Sequence, residues 1–217
     1  PFEPFEGRRG LWDQAVGRRV ELPDFPLGGN RSESDPFRIS RTIFKSYPSQ
    51  IHTQGPISLA IELRNKVALG DIESIHIDAY EVAASTASTE PAKWDPKTRE
   101  TADHSIPFLV AAALRDGSVT PATFTDGGIA DASLRVIMSK MDLVEDSEFT
   151  AKFSQEYNSR ITITDRSGAA HTAHTAYPKG HQNNPLDDAE VEAKFRSFSS
   201  TVLTTQQCDE ALEAIWA

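Results

Sequence analysis

Apolar positions along this chain follow two periods. From Pro56 to Leu69 they fall at Ile57, Ala60, Ile61, Leu63, Val67 and Ala68. That spacing is helical, with Pro56 suited to the first turn and Gly70 to the stop. Ile72-Glu73-Ser74-Ile75-His76-Ile77-Asp78-Ala79-Tyr80 alternates apolar and polar, which predicts a strand. Residues 37–45 hold strand-prone types at Phe37, Ile39, Thr42, Ile43 and Phe44 and predict another. Strand, helix and strand in that order make a right-handed βαβ unit. Residues 81–101 carry no such period and read as a long polar loop, rich in Ala, Ser and Thr and then in charge. Phe108 to Leu114 is an unbroken apolar run entered through Ala102–Pro107 and closed by Asp116-Gly117, so a buried, glycine-capped helix is expected.

Further on, Leu134, Ile137, Met138 and Met141 mark a short helix over 131–141, and Leu143-Val144 a short strand. Ser159–Thr164 and His171–Tyr177 alternate on either side of Asp165-Arg166-Ser167-Gly168, the pattern of a β-hairpin. Asp187 with Glu190 forms a capping box ahead of a helix striped by Val191, Phe195, Phe198 and Val202. Thr204 with Gln207 caps a last helix that carries Leu212, Ile215 and Trp216. Residues 1–36 show little period and many breakers, as a connector does. The fold class is therefore α+β: a connector over 1–36, a small α/β domain over 37–177, and a linker with two helices over 178–217. The tail stripe is large enough to require a partner surface.

Composition narrows the function. The chain has 217 residues and a formal net charge of -10, with 25% charged residues. Such a surface disfavours nucleic acid and anionic membranes, so a site for an anionic substrate must be a positive island. The single cysteine, Cys208, excludes an internal disulfide and suits a reducing cytoplasm. No apolar run approaches the ~18–20 residues of a membrane span. The chain does not begin with Met and shows no leader pattern, and it reads as a fragment of a longer protein.

Candidate chemistry centres on Lys45 and His52, joined by a loop that Pro48 stiffens. Lys45 is either a solvated lysine or a cation that fixes a carboxylate. His52 is either a cap or a proton carrier. His104, between Asp103 and Ser105 at the start of the expected buried helix, is a hydrogen-bond donor or a base, in a place that favours anions. Asp103 or Ser105 also fits a plain cap there. Lys179-Gly180-His181 lies in a Gly/Pro loop, which is either a linker or an anion contact. His171 and His174 are three apart on a strand and face opposite sides, so they do not chelate a metal, and one cysteine with scattered carboxylates argues against zinc. Cys208 has no neighbouring histidine to activate it.

Four separated stretches then agree. Phe5-Glu6-Gly7-Arg8-Arg9-Gly10-Leu11-Trp12, Phe44–Gln54, Trp94–Phe108 and Tyr177–His181 resemble the MmgE/PrpD family, in the same order across essentially the whole chain. The resemblance implies a helical domain with an inserted α/β lid, residues 37–177 being the lid and the last helices returning to the helical domain, whose N-terminal part precedes Pro1. It implies removal of water from a tricarboxylate such as 2-methylcitrate, without metal or organic cofactor, in a cytoplasmic homodimer. Decarboxylation of cis-aconitate and epimerisation of a dicarboxylate are the alternatives within the family; a non-catalytic binding or dimerisation module is the alternative outside it. By the same resemblance Lys45, His52 and His104 are the catalytic candidates. Lys45, Gln50, Asp103, Ser105, Lys179 and His181 are the substrate-binding candidates.

Overall fold

The computed structural model describes residues 10–19 and 42–217. The chain divides into two units, Pro1–Ser40 and Arg41–Ala217. In the first, Trp12–Val16 forms one π-helical turn closed at Gly17; the rest of the expected connector lies outside the described residues.

The second unit runs in order through α1 (Gln54–Arg64), β1 (Ile72–Ala79), α2 (Glu81–Ser88), α3 (Pro91–Trp94), α4 (Arg99–Asp103) and α5 (Ile106–Asp116). It continues through α6 (Asp126–Ala130), α7 (Ala132–Met138), β2 (Met141–Glu145), α8 (Ser147–Lys152), β3 (Ser159–Asp165) and β4 (Ala170–Thr175), and ends with α9 (Asp188–Ser199) and α10 (Thr205–Trp216). The strands form one sheet in the order β2-β1-β3-β4, parallel between β1 and β2 and antiparallel elsewhere. The α+β class holds.

Alternation decides which face of the sheet is dry. Ile75, Ile77, Ile161, Ile163 and Ala173 are buried, and α1 packs on β3 and β4 while also packing against α5. Every residue of α5 from Ile106 to Leu114 is buried, which is why its sequence is apolar on all sides. Ser105 starts that helix by accepting from the Phe108 N–H at 3.1 Å. Gly117 ends it at φ +72°, its N–H reaching the Ala113 carbonyl at 2.9 Å. Among the described residues no helix is long and apolar enough to cross a membrane.

Three sequence expectations need correction. Residues 42–45 are not a strand, and 37–41 lie outside the described residues. Both edges of β1 are taken, by β2 and β3, and the backbone at 44 bonds instead to a single loop carbonyl, Gly180 O, at 3.0 Å. Among the described residues there is therefore no βαβ unit around α1. The parallel pair is β1–β2, connected through α2 to α7. Second, residues 81–101 are not a loop: α2, α3 and the start of α4 occupy them. These helices bury small residues, Ala83, Ala87 and Ala102, so no large apolar period announces them. Trp94 Nε1 ties the group together by donating to Ser88 O at 2.6 Å, and Thr98 caps α4. Third, α1 stops at Arg64, not near Gly70. The Asn65 and Lys66 N–H groups bond back to Glu62 and Leu63 at 3.2 and 2.8 Å and tighten the end. Gly70 instead falls in a short 3₁₀ turn, Leu69–Asp71.

Candidate active site

The loop before α1 is shaped by one buried amide. Gln54 Oε1 accepts from the Tyr47 N–H at 3.0 Å, and its Nε2 donates to Tyr47 O at 3.1 Å and Ser49 Oγ at 2.9 Å. Thr53 Oγ1 donates to Gln50 O at 2.7 Å and pairs with Ser49 Oγ at 2.7 Å. Ser49, Thr53 and Gln54 are all buried, so each of these bonds replaces one to water that the loop has lost. A polar residue opening an apolar helix was the available signal for Gln54.

The segment that carries Lys45 is held from the other end of the chain. Phe44 N–H donates to Gly180 O at 3.0 Å, Ser46 Oγ donates to Lys179 O at 3.0 Å, and Lys194 Nζ donates to Lys45 O at 2.5 Å. Gly180 sits at φ +90°, and a Cβ there would stand 1.8 Å from Phe44 O. Only glycine permits this approach. Among the described residues the Lys45 ammonium has no hydrogen-bond or ion-pair partner, and its side chain is exposed.

Lys45, Pro48, Gln50, Asp103 and His104 line one open cleft of about 580 Å³. Two chain segments meet there because the Gln50 N–H donates to Asp103 O at 3.0 Å. His104 Nδ1 faces two acceptors, the Asp103 carboxylate and Glu100 O, the latter at 3.0 Å. In the neutral ring, acceptors on that side put the proton on Nδ1 and leave the lone pair on Nε2. Among the described residues, Gln50 Oε1 is buried without a partner. The cleft thus offers a cation, an imidazole lone pair oriented by a carboxylate, and an amide. That set suits proton removal beside a carboxylate, with the cation opposite the developing charge.

The remaining sequence candidates lie elsewhere. His52 falls in the 3₁₀ turn Ile51–Thr53, beside Tyr80 and Phe153. Burial lowers its pKa. Ser105 is fully buried, capping α5 and donating to Lys93 O. Lys179 Nζ pairs with Glu190 Oε2 at 2.8 Å, the same oxygen that accepts the Asp187 N–H in the capping box of α9. Lys179 lines a separate hollow with Tyr47 and Phe198. His181 is buried, stacks on Tyr177 with ring centroids 4.9 Å apart, and accepts the Asn183 N–H on Nδ1 at 3.1 Å. Burial lowers its pKa too. Among the described residues no group of three or more His, Cys, Asp or Glu could hold a metal ion.

Residues 47–217 match the MmgE/PrpD C-terminal domain. The chain is 25% identical over 187 residues to a 2-methylcitrate dehydratase of Escherichia coli strain K12, covering 81% of this chain and 38% of that protein. It is 27% identical over 120 residues to a human cis-aconitate decarboxylase, covering 55% of this chain and 25% of that protein. The mouse protein of the same name is 23% identical over 175 residues, 79% of this chain and 35% of its own length. The chain therefore spans between a quarter and two fifths of the length of these relatives.

Proposed function

The chain belongs to the MmgE/PrpD family, and from that premise we propose that it carries part of the active site of a lyase that removes water from a tricarboxylate of the 2-methylcitrate type. The observation that supports this reading is the single cleft that unites Lys45 with the Asp103–His104 pair. His104 Nε2 takes the proton from the carbon beside a substrate carboxylate, and its partner Asp103 holds the ring and balances the imidazolium that forms. Lys45 sits against that carboxylate and lowers the energy of the aci-carboxylate as charge builds on it; as that charge returns, the neighbouring C–O bond breaks and the hydroxyl leaves as water with the proton that His104 now carries. The amide of Gln50 orients a second oxygen. The remaining wall of the pocket comes from a helical domain of the complete protein, which works as a cytoplasmic homodimer.

The test uses the complete protein, with the double bond of the product followed by proton NMR. Lys45→Ala and His104→Gln each lower kcat/KM for 2-methylcitrate by about 10²–10⁴ with the circular dichroism spectrum unchanged. Wild-type rates in both variants would sink the assignment. The same cleft also serves loss of carbon dioxide from cis-aconitate, a reaction named for two of the relatives. Release of carbon dioxide from cis-aconitate, with no turnover of 2-methylcitrate, decides for that second reaction.

A further inference from the structure

We propose that Tyr80 is a positioning residue that locks His52 in the tautomer with its proton on Nε2, so that His52 meets a ligand as a hydrogen-bond donor and not as a base. The use of His52 on a substrate rests on the lyase reading above; the tautomer itself does not.

The geometry is short and closed. His52 Nδ1 lies 2.5 Å from the Tyr80 hydroxyl, with the rings edge to face and their centroids 5.4 Å apart. Tyr80 is 1% exposed. Its ring stacks on Phe153 at 4.4 Å and 13°, and meets the edge of Tyr157 at 6.0 Å. Among the described residues the phenol has one hydrogen-bond partner, the imidazole. Two arrangements are open. If Nδ1 carried the proton and donated to the phenolic oxygen, the phenolic hydrogen would be a buried donor with nothing to receive it. An unmatched buried donor loses more than one hydrogen bond gains. If the phenol donates instead, its single hydrogen is satisfied and Nδ1 acts as the acceptor. The environment keeps both groups neutral: burial and then the neighbouring Tyr157 raise the phenol's pKa, and burial lowers that of the imidazole. A neutral ring with a bare Nδ1 must bear its hydrogen on Nε2. Nε2 bonds to nothing else among the described residues, and the His52 residue is partly exposed.

His104 shows the opposite arrangement, with acceptors on Nδ1 and the lone pair left on Nε2. Two histidines of one domain are thus set by second groups to opposite parts. One offers a lone pair; the other offers an N–H. His52 directly follows Ile51, which lines the cleft. A neutral imidazole N–H polarises an oxygen and keeps its own proton, so a ligand oxygen that reaches His52 meets a donor and not a base.

The test is a long-range proton–nitrogen correlation spectrum of the whole chain, labelled with ¹⁵N in its histidine rings and recorded without substrate. Wild-type His52 shows a pyrrole-type Nε2 and a pyridine-type Nδ1. Tyr80→Phe, which keeps the stacked ring and removes only the hydroxyl, shifts both nitrogens toward an averaged position while His104 stays fixed. A wild-type spectrum with the proton on Nδ1 overturns the proposal, and this result stands even if the variant fails to fold. A folded Tyr80→Phe variant with an unchanged His52 tautomer overturns it equally. Because no substrate is present, failure here is separate from failure of the lyase reading, which only the rates of the Lys45 and His104 variants decide.

Discussion

The two faces of the sheet hold the domain together by different means. One face is Ile75, Ile77, Ile161, Ile163 and Ala173, all buried. The other is His76, Asp78, Asp142, Arg160, Thr162 and Thr172, partners in the strand registers and partly wet. On the dry face the gain is area removed from water, ~25 cal/mol per Å². It is blind to pH and to which isoleucine opposes which. On the wet face each pair is worth little, because Arg160 and His76 keep 38% and 42% of their side-chain surface in water. What that face supplies is register. His76 reaches Asp142 on β2 at 2.5 Å and Asp78 on its own strand at 3.1 Å. Asp78 reaches Arg160 on β3 at 2.8 Å, and Arg160 goes on to Asp146, the cap of α8, at 3.0 Å. A one-residue slip would break the links that cross between strands. Stability sits on one face, and alignment with pH response on the other.

Substitutions on the two faces separate these roles. The largest effect belongs to the dry face: Ile161→Ala costs about 2–5 kcal/mol in denaturant unfolding, the sum of lost transfer energy and cavity. A cost no greater than that of a surface change would show that this face is not the core. Next comes Asp78→Ala. It removes the carboxylate that Arg160 and His76 share, at about 0.2–1 kcal/mol for each of these part-exposed pairs, and broadens the amide signals of β2 and β3 more than those of α5.

The pH dependence is a smaller effect and tests the wet face alone. Burial by itself would lower the His76 pKa, but the hydrogen bond and charge of Asp142, with help from Asp78, outweigh it and raise it. A group whose pKa rises on folding contributes fully below its unfolded value, near ~6.5, and loses that contribution as pH rises through the folded value. The stability difference between wild type and His76→Gln therefore shrinks as pH climbs above that point. His52 and His174, whose pKa values are lowered chiefly by burial, work in the opposite sense and cancel in the difference. A difference that is flat with pH would remove His76 from the account. Smallest of all, Thr162→Ala loses its 3.0 Å contact with Thr172 and costs about 0.2–1 kcal/mol.

What could be read from the sequence follows the same division. Strong local signals came through. The capping boxes at Asp187 with Glu190 and at Thr204 with Gln207 stand as read. So do the hairpin over 159–175, the glycine that ends α5, and strand β1. Signals made only in three dimensions did not. Phe44 looks like a strand residue, yet its backbone partner is Gly180, far along the chain. Helices α2 and α4 bury alanines, which leave no stripe to count. In the cleft, the residue types at Lys45 and His104 could be picked out, but not their meeting, which depends on the bond from Gln50 to Asp103. Nor could the sequence disclose that Tyr80 sits on His52 or that Gln54 holds the loop.

One consequence of the Gly180 contact concerns the order of events on the ribosome. Residues 44–46 are placed by groups at 179, 180 and 194. Lys45 is therefore made early but positioned late. The sheet needs only residues 72–175, whereas the Lys45 side of the cleft waits for Lys194, midway along α9, to emerge. A chain stalled before that point would hold a finished sheet and an unfinished site.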